Sequence, residues 1–186
     1  MVTRATKGRP SSAAAILDTA LRLLDEGASV SLESVAHAAG LTKPGLMYHF
    51  PTKAALMEAL VDHVVDTLEH DLLTRLSVPI DEASAAQRIG AYLRWSLEYA
   101  HRRSDLVMLS DPKLADRMTA RWTERFDKWV QVPAELPAPE RTRLYTARLL
   151  ADGAWFVGAI DTFPVPADDR PDLLRFALEL LEGPTS

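Results

Sequence analysis

Residues 31–53 hold the chain's densest run of side chains able to bind a polyanion: Ser31, Thr42, Lys43, Tyr48, His49 and Lys53. Hydroxyl and ammonium groups donate to phosphate oxygens, and a lysine can reach O6 or N7 of a guanine in the major groove. Nothing comparable suggests a reaction centre. The chain has no cysteine, which excludes thiolate nucleophiles, thiolate metal sites and disulfides. It also lacks a Gly-rich phosphate loop, a nucleophile elbow and a metal motif. His63 and His70 share a helix face with Asp66 between them, a spacing a metal could use, but a solvated face is the better reading. The expectation is a protein that is not an enzyme and carries no catalytic residue, metal or cofactor.

Two short helices joined by a glycine turn would position these groups. The segment 32–50 reads LESVAHAAGLTKPGLMYHF. Ser31 is the expected N-cap of its first helix, and Glu33 suits the positive end of that helix's dipole. Ala36 and Ala39 are small enough for a close crossing, and Gly40 permits the turn. Thr42 caps the second helix, with Pro44 in its first turn where a missing N–H does no harm. Val35, Leu41 and Leu46 are expected to form a small core with a preceding helix, whose stripe is Ile16, Leu17, Ala20, Leu21, Leu23 and Leu24. That helix starts at Ser11 or Ser12 and ends at Gly27. Pro51 stops the second short helix, and Thr52 caps a long one reaching about Leu76.

This segment resembles the DNA-binding domain of the tetracycline-repressor (TetR) family. The match runs from about Ile16 to Leu56 and rests on Ala36-x-x-Ala39-Gly40, Thr42-Lys43, Tyr48-His49-Phe50 and Lys53-x-x-Leu56. The resemblance implies that Ser31, Thr42, Tyr48, His49 and Lys53 contact phosphates and that Lys43 reads a base edge. It also implies that Arg4, Lys7 and Arg9 reach the backbone or the minor groove. Two positions depart from the family pattern. Met47 stands where an aromatic is common, and Gly45 where a base-reading side chain is common. Base reading therefore falls to Thr42, Lys43 and backbone approach at Gly45. The string Lys43-x-Gly45-Leu46-x-Tyr48-His49-Phe50 resembles a subgroup of multidrug-efflux repressors.

Charge distribution agrees with a DNA-binding head. The 186 residues carry a net charge of −5, yet residues 1–53 hold six Lys/Arg against four Asp/Glu, and the remainder 15 against 22. Phosphate contacts need local positive charge, not a basic whole. No apolar run approaches the roughly 20 residues that cross a bilayer, and the basic N-terminus lacks the apolar stretch of a secretory signal. A cytoplasmic protein without a membrane partner is expected. The division is a flexible basic arm over 1–10, a helix-turn-helix domain over 11–53 and an effector-binding and dimerisation domain over 54–186. Helical periodicity runs nearly throughout, so the fold class is all-α with about nine helices. Beyond Pro79, helices are expected over 81–103, 113–130, 140–160 and 170–181, with a short turn over 104–112.

A regulator needs an input, and the body holds most of the aromatics. Tyr92, Trp95 and Tyr99 share one helix face. Met118, Trp122, Phe126 and Trp129 form a second stripe, Trp155 and Phe156 follow on a third helix, and Met108 lies in the break. Plain core packing is the simpler reading of any one of them. Together they suggest an apolar, aromatic cavity for a lipophilic small-molecule effector, a cationic aromatic among the kinds it would take. Asp152 would be costly alone in its apolar stretch. It either pairs with Arg148 one turn back or neutralises a cation, while Asp111 either joins that site or caps the helix after Pro112. Ala147, Ala151, Ala154 and Gly158, with Leu173, Leu174, Phe176, Ala177, Leu180 and Leu181, suggest a homodimer through the last two helices. Such a dimer would present two recognition helices to a pseudo-palindromic operator on double-stranded DNA. Ligand binding would then shift the population away from the DNA-competent form. The alternative is a helical ligand-binding or protein-adaptor domain that binds no DNA.

Overall fold

A computed structural model describes residues 12–183, whose regular elements are all helical. The basic arm with Arg4, Lys7 and Arg9, and the possible cap Ser11, lie outside the described residues. Eight α-helices follow in order: α1 (Ser12–Asp25), α2 (Leu32–Ala38), α3 (Lys43–His49), α4 (Lys53–Leu73), α5 (Ala85–Glu98), α6 (Ala115–Val130), α7 (Ala138–Ala159) and α8 (Arg170–Glu182). Two 3-10 turns, Ile80–Glu82 and Arg103–Leu109, complete the set. The second occupies the short turn expected over 104–112.

Local chemistry sets the boundaries of the head. Gly27 (φ 73°) ends α1, with Ala28 N–H reaching Leu23 O at 2.8 Å and Gly27 N–H reaching Leu24 O at 3.0 Å. Gly40 (φ 67°) repeats the arrangement after α2, with Leu41 N–H on Ala36 O at 2.8 Å and Gly40 N–H on His37 O at 3.1 Å. This pair of bonds is the Schellman closure, which needs a residue at positive φ. The turn between α2 and α3 therefore depends on a glycine. Ser31, Thr42 and Thr52 each cap a helix, accepting from Ser34, Gly45 and Ala55 N–H at 3.0, 3.2 and 3.0 Å.

Ile16, Leu17 and Ala20 of α1, Val35 and Ala36 of α2, Leu46 of α3 and Phe50 form the head's core, continuous with Leu56, Met57 and Leu60 of α4. Leu41, expected in that core, is 39% exposed. The Schellman bond fixes its backbone at the outside of the turn, and Val35 and Leu46 fill the interior without it. In the body, α4 lies against α6, while α5 is enclosed by α7 and α8.

Several boundaries differ from expectation for local reasons. The α4 helix ends at Leu73 with Thr74 as its C-cap, short of the expected Leu76. Ser84 and Gln87 form a reciprocal capping box that starts α5 at Ala85, so residues 81–82 belong to the separate 3-10 turn. The α5 helix ends at Glu98, ahead of 103. Three of the small residues expected at a dimer surface, Ala147, Ala151 and Gly158, pack inside the protomer instead. Ala147 and Ala151 are fully buried within the protomer, and a Cβ on Gly158 would meet His101 at 3.0 Å. The outward apolar side chains of the last two helices are Tyr145, Leu149, Phe156 and Phe176.

Candidate nucleic-acid interface and effector cavity

The head presents one face of α3 to solvent. Leu46 points inward, fully buried, while Thr42, Lys43, Met47 and Tyr48 are exposed and Gly45 and His49 half-buried. Tyr48 is 87% exposed, an unusual position for a tyrosine that serves packing. Its ring meets His49 edge-on at 5.3 Å. Phe50 is buried, as a core aromatic should be. Thr42 and Ser31 are engaged as caps, which fixes their hydroxyls at helix N-termini. A Cβ on Gly45 would sit 3.2 Å from the Thr42 hydroxyl, so the glycine keeps room for that cap.

Both lysines of this surface already have a carboxylate partner. Lys43 lies 2.5 Å from Glu33 of α2, and its hydrogen bond holds the Glu33 carboxyl below the usual carboxylate range. Lys53, the first residue of α4, lies 2.5 Å from Asp111 and lowers that carboxyl in the same way.

The largest aromatic-lined cavity, about 370 Å³, opens between the head and the body. Trp95 and Tyr99 stack at 5.3 Å on one wall, and Trp122 and Trp155 stack at 5.3 Å on another. Trp95 and Trp155 are 6.3 Å apart, and their buried indole N–H groups have no acceptor among the described residues. Four carboxylates border the same space: Asp18 and Asp25 of α1, Asp71 of α4 and Asp105 of the 3-10 turn. Only Arg22, Arg102 and His63 oppose them. Asp18 accepts from His63 Nε2 at 2.8 Å, and Asp25 accepts from Ser104 N–H at 2.9 Å. Burial, then the charges of Asp105, Asp71 and Asp25, push the Tyr99 hydroxyl above its ordinary value against the opposing pull of Arg102. The cavity is thus aromatic within and acidic at its border.

The structure brings together four of the expected cavity residues, Trp95, Tyr99, Trp122 and Trp155, and places the others elsewhere. Tyr92, Phe126 and Asp152 line a separate cleft of about 310 Å³, which shares only Trp122 and Trp155 with the first. Tyr92 O–H donates to Asp152 at 2.9 Å, and Arg148 Nε lies 3.6 Å from the same carboxylate. Burial raises the Asp152 carboxyl above its ordinary value despite these partners. Met108 is buried in the core shared by head and body. Trp129 is 1% exposed and donates its indole N–H to Glu69 at 3.1 Å, a packing position two turns beyond Trp122 along α6. Phe156 points outward, 44% exposed. Asp111 leaves the cavity for Lys53 and also accepts from Lys113 N–H at 2.9 Å, just ahead of α6.

Sequence reasoning missed the acidic border. Asp18, Arg22 and Asp25 recur at helical spacing on α1, a polar set beside its apolar stripe, and that was the available signal. A second missed feature joins α4 to α6. Glu58, Asp62, Asp66 and Glu69 meet Arg117, Arg121, Arg125 and Lys128 in register. Arg121 grips Asp62 with two nitrogens at 2.8 and 3.1 Å. Burial alone would raise the Asp62 carboxyl, but Arg121 and Arg125 outweigh it and hold it low. The ladder ties the helix that carries Lys53 to the helix that carries Trp122. Among the described residues no group of three or more side chains is arranged to hold a metal, and no helix is long and apolar enough to cross a membrane.

Comparison with known proteins agrees with this geometry. Residues 16–60 match the model of bacterial regulatory proteins of the tetR family, and residues 86–182 match a tetracyclin repressor-like C-terminal domain. The HTH-type transcriptional regulator EthR of Mycolicibacterium smegmatis is 28% identical over 151 residues, covering 76% of this chain and 69% of that protein. EthR of Mycobacterium tuberculosis is 27% identical over 139 residues, covering 73% of this chain and 64% of that protein. A solved TetR-family member from Streptomyces coelicolor A3 superposes with a TM-score of 0.60 at 17% identity, covering 90% of this chain and 98% of that one. The multidrug binding protein EbrR, solved with imidazole, gives a TM-score of 0.57 at 19% identity, covering 96% and 99%. Head and body are each matched, in the same order along the chain, and the chain belongs to the tetR family of DNA-binding transcriptional regulators.

Proposed function

We propose that the chain is a homodimeric repressor that binds a pseudo-palindromic operator and releases it when a lipophilic aromatic cation enters the cavity between head and body. The observation that carries this reading is the cavity itself, with four stacked rings inside and a border where carboxylates outnumber guanidinium groups. Ring faces attract cations as well as flat apolar groups. Asp71 is the counter-charge of choice, because its carboxylate makes no hydrogen bond or ion pair among the described residues. Asp152, already bonded to Tyr92, takes no part. The two indole N–H groups without acceptors favour an occupant that also carries an oxygen or nitrogen lone pair.

On the DNA side, Tyr48, His49, Lys53 and the capping hydroxyls of Ser31 and Thr42 fix the head on phosphates. Lys43, with Thr42 and the backbone at Gly45, reads base edges. The dimer forms through the outward side chains of α7 and α8, Tyr145, Leu149, Phe156 and Phe176, and sets two α3 helices roughly one DNA turn apart. A gene that exports such cations is the fitting target, and the cytoplasm the fitting place. A gel shift with DNA upstream of the chain's own gene tests the DNA half. The expected result is a complex of two protomers per site that weakens steeply with salt. No complex even at low salt would favour the adaptor alternative.

A further inference from the structure

Asp111 belongs to the body, yet its carboxylate sits on the one head-proximal lysine placed to meet DNA at the start of α4. We propose that Asp111 is a positioning residue for operator binding: it withholds the Lys53 ammonium from phosphate, and the segment 102–111 links that hold to the effector cavity. The proposal rests on the operator reading above and adds the route by which the cavity acts on it.

The geometry distinguishes a fixed partner from a movable one. The Asp111 side chain is 12% exposed and its second oxygen accepts Lys113 N–H at 2.9 Å, while Leu114 N–H bonds its carbonyl at 3.0 Å. Lys53 is 44% exposed and reaches Asp111 on a flexible four-carbon stem. An ammonium held at 2.5 Å by a carboxylate binds phosphate only after leaving it, so Asp111 and DNA compete for one charge. Lys43 and Glu33 form a similar pair, but both are exposed and both lie within the head.

The other end of the same segment forms the cavity wall. Arg102, Ser104 and Asp105 border the cavity, and Ser104 N–H is held by Asp25 of α1. Between the two ends, Leu106, Val107 and Met108 are buried in the core that also contains Met57 and Leu60 of α4. A strap buried at its middle transmits displacement, because packed interiors shift as units. Leu106 (φ −95°, ψ 30°) breaks its 3-10 geometry and supplies the joint. An occupant pressing on Arg102 and Asp105 therefore bears on Asp111.

The test is a double-mutant cycle read by DNA binding. Asp111→Asn keeps an acceptor for Lys113 N–H and removes only the charge. Operator affinity, measured by fluorescence anisotropy at about 0.1 M salt, is expected to rise about 3- to 10-fold, the scale of one freed phosphate contact per protomer. In a Lys53→Gln background the same change is expected to do nothing. Ethidium, used as the aromatic cation, is expected to bind Asp111→Asn within about twofold of the unmodified protein by tryptophan quenching, the scatter for a site not touched. It should nevertheless weaken DNA binding less. Asp111→Ser, which retains an acceptor oxygen near Lys113 N–H, should move in the same direction, and melting curves check that each variant is folded. A folded Asp111→Asn protein that binds DNA no more tightly overturns the inference, as does a gain that persists without Lys53. If the unmodified protein binds no DNA, the operator reading fails with it. If it binds DNA and Asp111→Asn is inert, this inference fails alone.

Discussion

The acidic border of the cavity makes a quantitative claim about Asp71. Replacing it by Asn removes one negative charge and almost no volume. A ligand cation seated among the rings would lie about 6 Å from that carboxylate, where a unit pair is worth about 2.8 kcal/mol at an effective dielectric near 20. Asp71 is half-buried, so water screens part of this. About 1–2 kcal/mol remains, or a 5- to 30-fold loss of affinity. The assay is tryptophan quenching by ethidium beside a neutral aromatic of similar size, each titrated into both proteins. Trp95, Trp122 and Trp155 line the cavity and report directly. The expected result is weaker ethidium binding with neutral binding unchanged. Equal losses for both ligands would mean that Asp71 shapes the wall without reading charge, and no loss for ethidium would remove it from the site.

Tyr48→Phe removes only the hydroxyl of an 87% exposed ring, so operator affinity should fall several-fold, on the scale of one hydrogen bond of about 1 kcal/mol, while the melting temperature stays fixed. Equal DNA binding by both proteins would deny the residue a phosphate contact. Leu46→Ala deletes a fully buried side chain from the head's small core and should cost about 2–5 kcal/mol in chemical denaturation. A loss under 1 kcal/mol would show that α3 is not anchored as described. Burial raises the Asp152 carboxyl in the folded chain above its unfolded value near 3.8. The folded state therefore binds that proton more tightly, and stability declines as pH rises through this window and stays lower at neutral pH. Asp152→Asn should gain in melting temperature relative to the unmodified protein between pH 3 and pH 7, and a difference moving the other way would contradict the burial argument. Ethidium affinity should be unchanged in the same variant.

What the sequence revealed depended on the range of the forces involved. The caps at Ser31, Thr42 and Thr52 and the turn at Gly40 are local, and the residues alone place them. The aromatic stripes were visible as stripes. Periodicity shows which residues share a helix face, but not how deep along a neighbouring helix each one lands. That is why Trp122 reaches the cavity and Trp129, seven residues on, bonds Glu69 in the core. The same limit hid Asp111, whose partner lies 58 residues earlier in sequence, between Thr52 and Ala54. It also hid the ladder between α4 and α6, since each helix alone reads as a solvated face of one charge sign. Ala147 and Ala151 signalled close packing, and the neighbour they find lies within the same chain, where α7 runs along α5.

In the function proposed above, one molecule occupying the cavity loosens the head from its operator. The most direct measurement is an anisotropy titration of ethidium into the preformed complex of protein and DNA from upstream of its gene. Ethidium also intercalates, so the control is a Trp122→Ala/Trp155→Ala protein on the same duplex. The expected result is release at ethidium concentrations that quench the tryptophans of the unmodified protein, with the control complex persisting. Equal release from both complexes, or none from either while quenching saturates, would contradict the account.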